Sequence, residues 1–276
     1  MTHIIAIAFP KGGAGKSVSA VSLAAISADR GLKTLLIDFD PIGVSSSNSG
    51  LDKYSDLSAS KLLADSRPKV SSLIQPSPFG YDVIVAGEGL LSGEKWMDTV
   101  PMGDLEIRAQ LEEDESLQQY DVIYLDSPPH NGKILSGVLI AATHVISPLK
   151  ADNENAQVLP LFINLSSSVN RIRTRFNMDA FTQLSYVFTD VDERTNITAE
   201  IKKSVRESLD PGAVAETVIP HSTAVKQAGQ NMMPVVHFKP KEKPSIAYNR
   251  FFDEVLQPLF FGPQRKATSH ESVAIA

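Results

Sequence analysis

Cysteine is absent from this sequence. That absence excludes disulfide scaffolds, thiolate zinc sites, iron–sulfur clusters and cysteine nucleophiles. No apolar run approaches the ~18–20 residues of a membrane-spanning helix. No basic stretch with a small-residue cleavage site precedes the strand-like run at residues 3–9, so a secretory leader is not expected and a cytoplasmic location is. What remains is 276 residues, 42% hydrophobic and 21% charged, a composition that rules out a disordered or collagen-like chain. The length suits one large α/β domain or two small ones.

The net charge of −6 is unevenly spread. Residues 1–170 carry 12 Lys/Arg against 20 Asp/Glu, whereas residues 171–250 carry 12 against 9. An acidic chain can still bind a polyanion if its basic residues share a face; scattered over the surface, the same residues are only solvated charge.

Apolar runs at 3–9, 34–38, 82–86, 121–125, 143–147, 183–188 and 214–219 predict strands. Helical spacing predicts helices over 16–29, 103–118, 154–168, 196–209 and about 245–259. Near-continuous apolar strands alternating with helices imply a doubly wound α/β fold, a mostly parallel sheet flanked by helices on both faces. The stretch 41–80, rich in Ser, Pro and Gly, reads as a loop with short helices. A single domain over 1–261 and a loose tail over 262–276 are expected.

The strongest local signal is Phe9-Pro10-Lys11-Gly12-Gly13-Ala14-Gly15-Lys16-Ser17, placed after a strand and before a helix. Glycines let such a loop curl so that its N–H groups meet phosphate oxygens at the positive end of the following helix. Lys16 is then the residue that reaches the β- and γ-phosphates, and the Ser17 hydroxyl ligates Mg²⁺. Pro10 stands where the ordinary phosphate-loop pattern has Gly. A dinucleotide reading fails because Val18 stands where its pattern wants Gly or Ala.

Lys11, two glycines, two further residues and then Lys16-Ser17 resemble the deviant Walker A motif of the ParA/MinD family of P-loop ATPases. Leu35-Leu36-Ile37-Asp38-Phe39-Asp40-Pro41-Ile42-Gly43 is similar to that family's strand ending in Asp-x-Asp-Pro-Gln-Gly, with Ile42 replacing Gln. Asp121-Val122-Ile123-Tyr124-Leu125-Asp126-Ser127-Pro128-Pro129 resembles its Walker B strand and switch segment. Phe188-Thr189-Asp190-Val191-Asp192-Glu193-Arg194 and Val218-Ile219-Pro220-His221 continue the resemblance, which covers residues 3–260.

The resemblance implies an Mg²⁺-dependent ATPase that dimerises around two ATP molecules. Lys11, Lys16 and Asp40 take the catalytic roles, Lys11 crossing to the partner subunit's phosphates and Asp40 orienting the attacking water. Gly12, Gly13, Ala14, Gly15, Lys16, Ser17, Val18 and Pro220 line the nucleotide, and Ser17, Asp38 and Asp126 serve the metal. It also implies non-specific DNA binding by the ATP-bound dimer, through Arg194, Lys202, Lys203, Arg206 and Lys226. His221 departs from the Arg found in many relatives. Arg171, Arg173, Arg175, Lys239, Lys241 and Lys243 are further cations to place, and Lys150 is either a phosphate or partner contact or a surface residue. Aromatics are not interleaved with these cations, so base stacking is not expected.

The job so implied is plasmid or chromosome segregation on the nucleoid, with a centromere-binding partner stimulating hydrolysis. Positioning of a protein cargo through an adaptor remains open, as does a MinD-like membrane-cycling regulator. The missing cysteines exclude the nitrogenase and iron–sulfur branches. The tail has neither a tyrosine cluster nor a basic amphipathic helix, so no membrane contact is expected.

Overall fold

The structure, a computed structural model, describes residues 2–192 and 196–262. Arg194 and residues 263–276 of the expected tail lie outside them. Among the described residues, seven strands form one sheet in the order β3-β4-β2-β5-β1-β6-β7. They are β1 (His3–Ile7), β2 (Thr34–Asp38), β3 (Gln75–Pro76), β4 (Asp82–Ile84), β5 (Val122–Asp126), β6 (His144–Lys150) and β7 (Thr182–Thr189). All pair in parallel except the two-residue edge strand β3.

The central strands are apolar at successive positions because both faces of the sheet are covered. Ala6, Leu35, Ile37, Ile123 and Leu125 face one apolar layer, and Ile5, Ile7, Leu36, Val122 and Tyr124 face the other. The helices are α1 (Lys16–Asp29), α2 (Val44–Asn48), α3 (Leu90–Thr99), α4 (Glu106–Glu113), α5 (Lys133–Ala141), α6 (Asn153–Arg175), α7 (Asn196–Glu207), α8 (Thr223–Gln230), α9 (Val235–Phe238), α10 (Lys243–Phe251) and α11 (Gln257–Phe261). Helices α4 to α7 pack in the first layer, whereas α1, α8, α9 and α10 pack in the second. Each large aliphatic side chain fully buried in these layers contributes about 1.5–3 kcal/mol. No helix among the described residues is long and apolar enough to cross a membrane.

Several elements differ from the sequence-based expectation. Residues 214–219 form no strand; only isolated bridges pair Val214 with Tyr186 and Pro220 with Val191. The helix expected over 103–118 is broken into a 3₁₀ turn, α4 and a second 3₁₀ turn, at which Asp114 caps Ser116. Helix α6 runs seven residues past the expected end. Its last turns are held by Arg173, which is buried and donates to the carbonyls of Ile140, Ala142 (2.7 Å) and Asp179 (2.6 Å). Arg173 is therefore a structural clamp and leaves the set of cations available to a polyanion.

Candidate functional site

The phosphate-type loop leaves the end of β1 and enters α1 with Gly13 at φ 73° and Gly15 at φ 86°, both left-handed. Gly15 is also pressed by β7. A Cβ there would lie 2.9 Å from Thr189 Oγ1, the same hydroxyl that donates to the Ala14 carbonyl at 2.7 Å. The loop is thus tied to the end of β7 at Gly15, where both the backbone angle and the space favour glycine. No acidic residue occupies the first turn of α1, so its positive end is left to an anion.

A cavity of about 350 Å³ opens at this loop. Gly12, Gly13, Ala14, Gly15, Lys16, Ser17 and Val18 line it, together with Asp40 and Pro220. Ile219, Val225 and Tyr248 extend its apolar end. The sequence reading did not single out Tyr248, which lies some 230 positions from the loop and is fixed by a hydroxyl contact to Ser19 at 3.1 Å. Lys16 is buried and its Nζ donates to the Lys11 carbonyl at 3.0 Å. Burial lowers its pKa, while the charges of Asp126 and Asp40 oppose that shift.

Asp38 and Asp126 end adjacent strands in direct register and are fully buried. Burial pushes both carboxyls up, and at Asp126 the neighbouring Asp38 adds to the effect. Their environments differ. Asp38 accepts from the Asp40 N–H (3.0 Å), the Ser46 N–H (2.8 Å) and the Ser46 hydroxyl (2.6 Å). Asp126 accepts from the Ser45 hydroxyl at 2.7 Å through Oδ2, while its Oδ1 is buried with no hydrogen-bond partner. Asp40 accepts from the Ile42 N–H at 3.0 Å, shaping the turn into α2.

Lys11 is not part of the cavity lining. Its side chain is one-third exposed, and its Nζ pairs with Glu154 on the first turn of α6 at 2.5 Å. That hydrogen bond and charge raise the Lys11 pKa, so the ammonium form is held at the rim. Lys150 pairs at 2.7 Å with Asp190, which lines the cavity, and Asp190 contacts His221 Nδ1 at 2.6 Å. Burial alone would raise the Asp190 pKa, but Lys150 and His221 outweigh it and hold the carboxyl low.

The expected DNA-contact residues are only partly brought together. Lys203 on α7 and Lys226 on α8 are exposed, and Lys203 lies 3.8 Å from Glu207. Their helices pack on opposite faces of the sheet, so the two lysines do not share one helix layer. Arg206 is not directed outward as its helical spacing predicts. Its guanidinium donates to the carbonyls of Val214 (3.2 Å) and Ala215 (2.6 Å) and pairs with Glu216, because residues 214–216 bring unpaired carbonyls past α7.

A family model described as an AAA domain matches residues 2–180. The sporulation initiation inhibitor protein Soj of Bacillus subtilis is 28% identical over 260 residues, covering 92% of this chain and 98% of that protein. The chromosome-partitioning ATPase Soj of Treponema pallidum is 29% identical over 246 residues, covering 89% and 94%. Among solved structures, a cobyrinic acid a,c-diamide synthase from Mycobacterium smegmatis, with bound ATP analog and magnesium, superposes with a TM-score of 0.80. It is 23% identical and covers 95% of this chain and 98% of its own, a likeness of fold.

Proposed function

The chain belongs to the ParA/MinD family of P-loop ATPases, and on that premise we propose that it is a DNA-partition ATPase working as an ATP-closed dimer. It is an ATP-hydrolysing enzyme by that membership. The observation that carries the finer reading is the opposite direction of two lysines on one loop. Lys16 is buried at the cavity wall, where it can neutralise β- and γ-phosphates. Lys11 stands on the rim, charged and outside its own cavity, where a second subunit's phosphates can meet it.

The residues fit ATP with Mg²⁺. Ser17 lines the cavity, and behind that lining its side chain acts on the buried Asp126 carboxyl, whose Oδ1 has no hydrogen-bond partner. Ser17 and Asp126 would hold Mg²⁺, with Asp38 supporting them, and the bound ion supplies positive charge to the phosphates. Asp40, at the cavity wall, orients the attacking water. The apolar end formed by Ile219, Pro220 and Val225 takes the base.

DNA binding in this reading is electrostatic and independent of sequence, and it uses Lys202, Lys203 and Lys226, with Arg194 as a further candidate. A partner protein, centromere-bound for partition, stimulates hydrolysis and releases the dimer from the nucleoid. The test reverses charge at Lys202, Lys203 and Lys226 and leaves Arg206 alone, since its loss would break the loop at 214–216. Duplex DNA binding is measured by fluorescence anisotropy with ATP at several salt concentrations. Each phosphate contact removed lowers the log–log salt slope by about 0.9, and a dimer loses each one twice. The triple variant is expected to lose DNA binding while keeping wild-type ATP affinity. Wild-type DNA affinity and salt slope in that variant would overturn the reading.

A further inference from the structure

Helix α2 carries the sequence Val44-Ser45-Ser46-Ser47-Asn48 and is short, polar and largely buried. Serine hydroxyls in such a place need partners. Ser46 Oγ donates to Asp38 and accepts from the Ala86 N–H at 2.9 Å, so it fastens α2 to the end of β4. Ser45 makes a different contact. Its hydroxyl, fully buried, lies 2.7 Å from Asp126 Oδ2, with a longer contact of 3.4 Å to the Ser17 carbonyl. One oxygen of Asp126 is thereby held by α2, and the other is buried without a hydrogen-bond partner.

We infer that Ser45 is a positioning residue for the metal: by occupying Asp126 Oδ2 it fixes the carboxyl so that Oδ1 faces the ion's place beside Ser17. The inference rests on the Mg²⁺-nucleotide reading of this cavity. Two adjacent serines thus divide two tasks, Ser46 anchoring the helix and Ser45 aiming the acid. A hydrogen bond to a ligating carboxylate removes the cost of orienting it when the ion arrives, and loss of such a partner weakens metal binding about 10–100-fold.

The test titrates Mg²⁺ calorimetrically into wild type, Ser45→Ala, Ser45→Cys and Ser46→Ala, each saturated with ADP; ADP affinity in EDTA and thermal midpoints are measured in parallel. Ser45→Ala is expected to bind Mg²⁺ about 10–100-fold more weakly with ADP affinity in EDTA unchanged. Ser45→Cys, close in size and a weak donor, is expected to shift in the same direction and covers the case in which the alanine variant folds poorly. Ser46→Ala is expected to lower the thermal midpoint and to affect Mg²⁺ less than Ser45→Ala does. Wild-type Mg²⁺ affinity in Ser45→Ala and Ser45→Cys would overturn the inference, as would equal weakening by Ser46→Ala. A wild-type protein that binds no ADP, or gains nothing from Mg²⁺, strikes the nucleotide reading instead.

Discussion

Lys16→Ala is expected to abolish measurable ATP binding. The ammonium is buried at the cavity wall and donates to a loop carbonyl, a position from which its charge can meet phosphate. Two charge-assisted hydrogen bonds at about 1.5–3 kcal/mol each amount to a loss of about 10²–10⁴-fold in affinity. Asp40→Ala is the matched control. Asp40 shapes the turn at Ile42 and faces the cavity, so its removal is expected to leave nucleotide binding and dimerisation intact while hydrolysis falls by about 10²–10⁴-fold. Calorimetry with ATP and a phosphate-release assay separate the two. Near-wild-type ATP affinity in Lys16→Ala would contradict the assignment of the loop.

The second large effect is at Lys11. Its ammonium belongs to the rim and is held there by Glu154, a side chain that is itself 73% exposed and easily displaced. Lys11→Ala is expected to bind ATP normally, to dimerise weakly and to lose hydrolysis by about 10³-fold or more, the scale of an arginine finger supplied in trans. Crossing is tested by mixing. A dimer of one Lys11→Ala and one Asp40→Ala subunit pairs an intact Lys11 from one chain with an intact Asp40 from the other, and so rebuilds one complete site. Activity is expected to reappear on mixing two inactive variants. Mixed dimers as inactive as their parents would show that Lys11 acts within its own subunit.

Much of this was legible in the sequence because the signals were local. The span of α1, 16–29, follows from the glycine loop and the apolar spacing that come after it, and the parallel sheet follows from strands apolar at every position. What was missed depends on distant partners. Helix α5 has no visible period because both its sides are apolar: Ile134, Leu135, Val138, Leu139 and Ile140 are all buried. Residues 214–219 look like a strand, yet Pro220 has no N–H to extend a ladder and only single bridges form. Arg206 keeps its helical spacing but turns toward carbonyls eight and nine residues further on, a proximity no periodicity reports. The serine run at 45–47 reads as loop, and only the fold shows that two of its hydroxyls meet the acids of β2 and β5.

The most direct test of the partition account is DNA binding by the wild-type chain, compared in ATP and in ADP, with anionic lipid vesicles as the parallel surface. Doubling a modest set of phosphate contacts within one rigid dimer steepens both affinity and salt slope. The account therefore predicts binding to duplex DNA of any sequence with ATP, little with ADP, a sharp fall as salt rises, and no vesicle binding. Equal DNA binding in both nucleotides, or ATP-dependent binding to vesicles and not to DNA, would contradict it.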